Sequence, residues 1–264
     1  MDSEEHWSDP VAHLRQAFAQ DAFTLYCQPI GALGATMSYP MAEVLVRLHE
    51  EEKAMRPPGE FLPLLEHYGM MPELDRWVVG QVLRRLAAGC RIPSLSINLS
   101  AQTLVDRAFP TFFAEALNAT GVPAECVLFE VEESDAVALP DCIARFAATV
   151  GSLGAGVIIE GFGRAENCFE PLMAPCVRFV KLSYALTRSL IHSDTLPADM
   201  RQLMQVTQDL GIEVIADCIE EADALRSLRA RKLRYVQGFG VYRPHPLDSF
   251  VEPDNHTASP APAI

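Results

Sequence analysis

Seven apolar runs in this chain each end in a polar or charged residue, and helix-like segments separate most of them. The runs are MAEVLVR (41–47), SLSINLS (94–100), CVLFEVEE (126–133), GVIIEGFG (156–163), VRFVKLS (177–183), EVIADCIEE (213–221) and LRYVQGFG (233–240). Short apolar runs with β-branched residues, alternating with helical periodicity, predict βα units and a parallel sheet. In a closed barrel of such units every strand end points to one face, and chemistry gathers there. The residues delivered to that face are Glu43, Asn98, Glu130, Glu160, Lys181, Asp217 and Gln237. An additional run, FTLYCQPI (23–30), ends near the turn GALGAT and leads directly into the first run. That spacing predicts a hairpin, so the fold expected is a modified α/β TIM-type (β/α)8 barrel with an antiparallel first strand.

Helix signals punctuate the chain. Asp9-Pro10 is an N-cap and first helical residue for PVAHLRQAFAQ. Leu74, Trp77, Val78, Val82 and Leu86 sit at helical spacing before Gly89, and DMRQLMQVTQDLG stops at Gly211 just before IEVIAD. The expected organisation is a helical extension over 1–20, a barrel over 21–247, and a disordered Pro/Ala-rich tail over 248–264. The 264 residues suffice for one barrel core. The barrel is expected to work without an attached sensor or output segment, with signals entering and leaving through ligand, partner or self-association.

Composition narrows the function classes. A formal net charge of −14 argues against general binding to nucleic acid or anionic membrane. The seven cysteines form no CxxC pair and are expected to be free thiols in a reducing compartment. No run approaches the ~18 apolar residues of a membrane span, and the opening MDSEEHWSD is no leader, so a soluble cytoplasmic protein is the default. Taken singly, Asn98 reads as a turn residue, and Gly161 and Gly163 as a turn rather than a phosphate loop. Met70 and Met71 read as helix packing. Glu130 and Glu132 share one face of a regular strand, and Glu132 and Glu133 are candidates for a solvated loop beyond it.

Taken together, these landmarks resemble the EAL domain family in order and spacing. Glu43-Val44-Leu45 stands at the signature, followed by Arg47. PPGEFLPLLEHYG, LDRWV, INLS, FEVEES, VKL, VIADCIEE and VQGF follow in the family's sequence across about residues 20–247. The resemblance implies a barrel that binds cyclic di-GMP, which active members hydrolyse with two divalent metals. It places Gln28, Glu43, Leu45, Arg47, Asp75, Asp217 and Pro244 around the nucleotide, with Lys181 and Arg243 adding positive charge. Glu43, Asn98, Glu130 and Glu160 become metal ligands, and Glu43, Lys181 and Gln237 vestigial catalytic residues.

The departures from the family pattern carry as much information. Its Asp-Asp-Phe-Gly-Thr-Gly stretch is Glu160-Gly161-Phe162-Gly163-Arg164-Ala165 here, so the second carboxylate is absent. Asp217 replaces a glutamate, and Ser183 an aspartate. A two-metal clamp needs ions roughly 3.5–4 Å apart, whereas these residues leave oxygen donors for one Mg2+ or Ca2+. The expectation is a degenerate member that binds cyclic di-GMP as a receptor, with little or no hydrolysis and no required cofactor. It would act on an unidentified protein effector, with homodimerisation open. The alternatives are a weak metal-dependent phosphodiesterase giving pGpG and a nucleotide-independent protein-interaction regulator.

Overall fold

The computed structural model describes residues 9–49, 55–56, 58–165, 168–193, 198–221 and 223–252. Helix α1 (Pro10–Ala19) starts where the sequence indicates, with the Asp9 carboxylate accepting the Ala12 N–H at 3.0 Å. It buries Leu14 and Ala17 against the outside of the barrel core. Strands β1 (Phe23–Ala32) and β2 (Ser38–His49) form the expected antiparallel hairpin, with Gln28 opposite Glu43. The short β3 (Met55–Arg56) pairs with the far end of β2.

Helices α2 (Pro58–His67) and α3 (Met71–Ala87) precede β4 (Ser94–Asn98). Helices α4 (Ala101–Val105) and α5 (Phe109–Thr120) then lead to β5 (Val127–Glu132). The segment 133–153 splits into α6 (Glu133–Ala138) and α7 (Pro140–Leu153), because a proline at 140 restricts Leu139 to non-helical backbone. Next come β6 (Gly156–Phe162), β7 (Val177–Leu182), α8 (Tyr184–His192), α9 (Ala198–Leu210), β8 (Glu213–Ala216), α10 (Ala224–Ala230) and β9 (Tyr235–Val236). The two-residue β10 (His245–Pro246) returns antiparallel along β1.

Among the described residues, eight strands close the barrel. From β2 the parallel order is β4, β5, β6, β7, β8 and β9, while β1 joins β9 to β2 through antiparallel pairings on both sides. Two strands are shorter than their apolar runs. β8 stops at Ala216 because the Asp217 carboxylate takes the Cys218 N–H at 2.6 Å and Cys218 turns to φ 59°. β9 keeps only Tyr235 and Val236, which pair with Ala32 and Gly31 of β1.

The barrel interior has two layers, set by the two-residue period of a strand. Near the strand starts, Ile30, Met41, Leu128, Ile158, Ile215 and Tyr235 form a buried apolar plug, with Phe179 packed against it. One inward-facing step further toward the other end, these strands present Gln28, Glu43, Glu130, Glu160, Asp217, Gln237 and Lys181. On β1 the step runs backward in sequence, as an antiparallel strand requires. The larger core lies between barrel and helices and includes Phe61, Phe109, Phe113, Phe129 and Phe146.

Residues 248–252, expected to open the tail, fold back onto the body. A 3-10 turn covers Leu247–Phe250, the Arg91 N–H donates to the Phe250 carbonyl at 2.8 Å, and Val251 bridges to Cys90. Buried Leu247 anchors this return. Residues 253–264 lie outside the described residues, as do 1–8 of the expected extension. Among the described residues no helix is long and apolar enough to cross a membrane.

Candidate active and ligand-binding site

Lys181 is the centre of the polar layer. Its side chain is fully buried, and its Nζ donates to Glu43 Oε2 at 2.9 Å and to Glu130 Oε2, with Glu160 Oε1 at 3.6 Å. Glu43 is held from two further directions. Asn98 Nδ2 donates to Oε1 at 3.1 Å, and Gln237 Nε2 donates to Oε2 at 2.7 Å. Gln237 also reaches Gln28 Oε1 at 3.4 Å, and Gln28 Nε2 donates to the Tyr242 carbonyl at 2.9 Å. The Ser96 hydroxyl bonds Glu130 Oε1. Candidates from β1, β2, β4, β5, β6, β7 and the end of β9 thus converge on one network.

The network is short of positive charge. Burial alone pulls the Lys181 pKa down, yet Glu130, Glu43 and Glu160 hold it well above the ordinary lysine value. That one ammonium is shared unequally. Burial raises Glu43, but Lys181 with the Asn98 and Gln237 donors outweighs it and leaves its pKa lowered. Burial pushes Glu130 up to about 8, opposed by Lys181 and reinforced by Glu43 and Glu160. Burial likewise pushes Glu160 up to about 7. Fully ionised, three carboxylates around one ammonium carry two excess negative charges. Oxygen atoms of Glu43, Glu130 and Glu160 lie within 4.8 Å of one another. An oxygen-only donor set with that excess fits a hard divalent cation such as Mg2+ or Mn2+.

Beside this cluster, β6 carries an irregularity. Its register with β7 shifts between Ile159 and Phe162, and Gly161 adopts φ 71°. No carboxylate stands at this position. A Cβ placed on Gly161 would lie 2.9 Å from Glu132 Oε2 and 3.2 Å from the Arg164 guanidinium carbon.

A cavity of about 370 Å³ opens next to the cluster. Asn98, Glu130 and Glu132 form the side it shares with the cluster, Leu45 and Asp75 line it, and Leu62, Met71 and Leu74 give it apolar walls. Asp75 is buried and accepts from the Ser100 N–H at 3.1 Å and the Ser100 hydroxyl at 2.7 Å. Burial raises its pKa against these bonds. Met71, expected only to pack a helix, also faces this space. Apolar walls with a few fixed polar groups are the chemistry of a site for a heterocyclic ligand.

Arg47, Asp217 and Pro244, named by the resemblance, stand outside both that lining and the hydrogen-bonded network around Lys181. Arg47 is half-buried, with Nη1 on the Val46 carbonyl at 2.8 Å and its guanidinium over the Tyr26 ring at 5.8 Å. Asp217, its pKa raised first by burial, holds the turn at Cys218. Pro244 is half-buried in the connection between β9 and β10, and neighbouring Arg243 covers the Phe239 ring at 5.6 Å.

Glu133 is not a residue of a solvated loop. It is buried, begins α6, and its carboxylate accepts the backbone N–H groups of Gly163, Arg164 and Ala165 at 2.7, 2.8 and 2.8 Å. Three such bonds make it the anchor of the loop after β6. Ser96 and Ser100 are further site residues that the sequence did not single out. The only local signal for them was the polar character of SLSINLS.

The EAL domain family matches residues 11–244, and this chain belongs to it. The cyclic di-GMP phosphodiesterase PdeB of Shewanella oneidensis is 26% identical over 245 residues, covering 92% of this chain and 29% of PdeB. The oxygen sensor protein DosP of Escherichia coli is 25% identical, covering 90% and 30%. The chain therefore spans less than a third of the length of these curated relatives. Among solved structures, the FimX EAL domain of Pseudomonas aeruginosa bound to cyclic di-GMP superposes with a TM-score of 0.83 at 25% identity, covering 93% of this chain and 99% of that one. The FimX EAL domain of Xanthomonas citri in complex with cyclic di-GMP gives 0.80 at 25% identity, covering 90% and 93%.

Proposed function

We propose that this chain is a cyclic di-GMP receptor that binds the dinucleotide at the open end of the barrel and hydrolyses it little or not at all. The observation that carries this reading is the contrast between adjacent strand ends. Glu43, Glu130 and Glu160 form one oxygen cluster suited to one cation, while Gly161 beside it offers no side-chain ligand. Leu45, Asp75 and Asn98 line a cavity alongside, and complexes of two FimX EAL domains with cyclic di-GMP share this barrel.

A single divalent ion would be held by Glu43, Glu130 and Glu160, with Asn98 adjacent, and when bound would polarise a phosphoryl oxygen. Lys181 keeps Glu43 ionised and in place. Gln237 and Asn98 fix the orientation of the Glu43 carboxylate, and Gln28 fixes Gln237. Apolar walls at Leu62, Met71 and Leu74 would exclude water from a purine, and Asp75 offers a buried acceptor to its polar edge. Arg47, Asp217 and Pro244 belong to the rim in this reading. Efficient in-line attack would need a second cation to stabilise the other oxygen, and Gly161 offers no carboxylate for one.

The output is a contact with a protein effector that depends on the bound nucleotide, and the setting is cytoplasmic. The barrel occupies about 21–247 in this reading, preceded by the helical extension. The decisive experiment incubates the protein with cyclic di-GMP and Mn2+ or Mg2+, follows the nucleotide by chromatography, and measures binding by calorimetry. Micromolar or tighter binding with an unchanged nucleotide peak is expected. Rapid conversion to pGpG overturns the receptor reading in favour of a phosphodiesterase, and absence of binding overturns both.

A further inference from the structure

Cyclic di-GMP carries two phosphodiester charges, yet the face proposed to receive it is rich in carboxylates. Glu43, Glu130, Glu160 and Asp217 crowd the polar layer, and Glu132, Asp135 and Glu66 line the cavity. Binding there requires positive charge within reach of the phosphates. Lys181 is fully buried and already shared among three carboxylates. Arg47 is half-buried and directed at a backbone carbonyl, and Arg243 lies over the Phe239 ring, outside the cavity lining.

We infer that Arg164 is the phosphodiester anchor of this site, its guanidinium standing at residue 161 where the chain lacks a carboxylate; this rests on the receptor reading. The Arg164 side chain is 63% exposed, and its ion pair with Glu132 Oε2 spans 3.6 Å, too long for a hydrogen bond. Among the described residues, its side-chain N–H groups therefore have no hydrogen-bond acceptor, and a planar fork of donors suits a phosphodiester. Its ion-pair partner Glu132 stands at the border between cavity and carboxylate cluster. Glu132 lines the cavity and is in register with Glu160. The space the guanidinium fills lies 3.2 Å from where a Gly161 Cβ would be, so a side chain at 161 and this arginine placement compete.

Arg164 is also held ready. Its own backbone N–H and those of Gly163 and Ala165 all donate to buried Glu133. A loop already fixed in this way loses little entropy on binding. A surface arginine with a long, exposed ion pair contributes little to stability by itself, so its removal tests binding rather than folding.

The test is calorimetric titration of the full chain with cyclic di-GMP, in EDTA and in Mg2+, at low and high salt. Wild type, Arg164→Ala and Arg164→Lys are compared, with Arg226→Ala as a control for loss of an exposed arginine. Arg164→Ala should weaken binding in EDTA by about tenfold or more, the loss expected for a charged hydrogen-bonding partner, and should flatten the salt dependence. Arg164→Lys should recover part of the affinity, and Arg226→Ala should match wild type. If wild type binds while Arg164→Ala keeps the same affinity and salt dependence, Arg164 is not the anchor and the receptor reading stands. If wild type binds only with Mg2+ and Arg164→Ala changes nothing, the ion carries the phosphate and the inference is likewise overturned. If wild type binds in neither medium, the receptor reading fails and the inference falls with it. Thermal melts check that each variant is folded.

Discussion

The two layers inside the barrel sit one inward step apart on the same strands and have opposite chemistry. The plug of Ile30, Met41, Leu128, Ile158, Ile215 and Tyr235 excludes water and needs no partners. The layer above it holds Gln28, Glu43, Glu130, Glu160, Lys181 and Gln237, each dependent on its neighbours for a charge or a hydrogen bond. The plug is a rigid floor that fixes strand ends, and the polar layer is a charge arrangement that the floor positions. Substitutions in the two layers should therefore fail in different ways.

The largest expected effect comes from Lys181→Met. It leaves three facing carboxylates without their cation, and breaking a buried ionic network by removing one partner costs roughly 3–5 kcal/mol. Mg2+ or mild acid should restore part of that loss, since either removes the repulsion. Leu128→Ala in the plug should cost about 2–5 kcal/mol through cavity formation and respond to neither. Denaturant melts with and without Mg2+, at two pH values, separate the two. Equal insensitivity of both variants would show that the polar layer is not held together by charge.

The same charge shortage sets the pH dependence of the metal-free protein. Glu130 and Glu160 are raised from the ordinary 4.5 to about 8 and about 7. Between those limits the folded chain binds more protons than the unfolded chain, so stability falls as pH rises from about 4.5 and the fall ends near pH 8. Lys181, raised above its ordinary value, contributes stability at every pH in this window and loses it only in strong alkali. Bound Mg2+ would keep the carboxylates ionised in the folded state and flatten the slope. Urea melts from pH 5 to 8.5 measure this, with Glu130→Gln as the reference that removes one of the two titrations. A wild-type slope matching that of Glu130→Gln would sink the assignment.

The same contrast shows what the sequence made legible. The strands were visible as apolar runs, and their polar ends gave Glu43, Asn98, Glu130, Glu160, Lys181 and Gln237, because period-two alternation is a local property. The hairpin of β1 and β2 was visible for the same reason. The anchoring role of Glu133 was not, since it accepts amides thirty residues further along the chain. Nor was the shortness of β8 and β9, which depends on a side chain turning back on its own backbone and on an antiparallel neighbour. The return of residues 248–252 was hidden because Leu247 and Phe250 are too few to register as a pattern against a polar background. The register shift at Gly161 showed only as a glycine.

That glycine frames the smallest predicted effect. Restoring a carboxylate by Gly161→Asp looks like a repair of the family pattern, yet the residue stands at φ 71° with Glu132 and Arg164 against it. A non-glycine residue in left-handed backbone costs roughly 1–2 kcal/mol, and the new aspartate would pair with the adjacent guanidinium before it could hold an ion. Gly161→Asp alone should therefore lower stability by about that amount and bring no turnover of cyclic di-GMP with Mn2+. Combining it with Arg164→Thr removes the competing cation and should gain more metal binding than the single substitution does. Metal titration by calorimetry, alongside nucleotide chromatography, compares the two variants. Turnover in Gly161→Asp alone would mean that the strand end adapts to a second ion without help, and that the carboxylate by itself was what hydrolysis lacked.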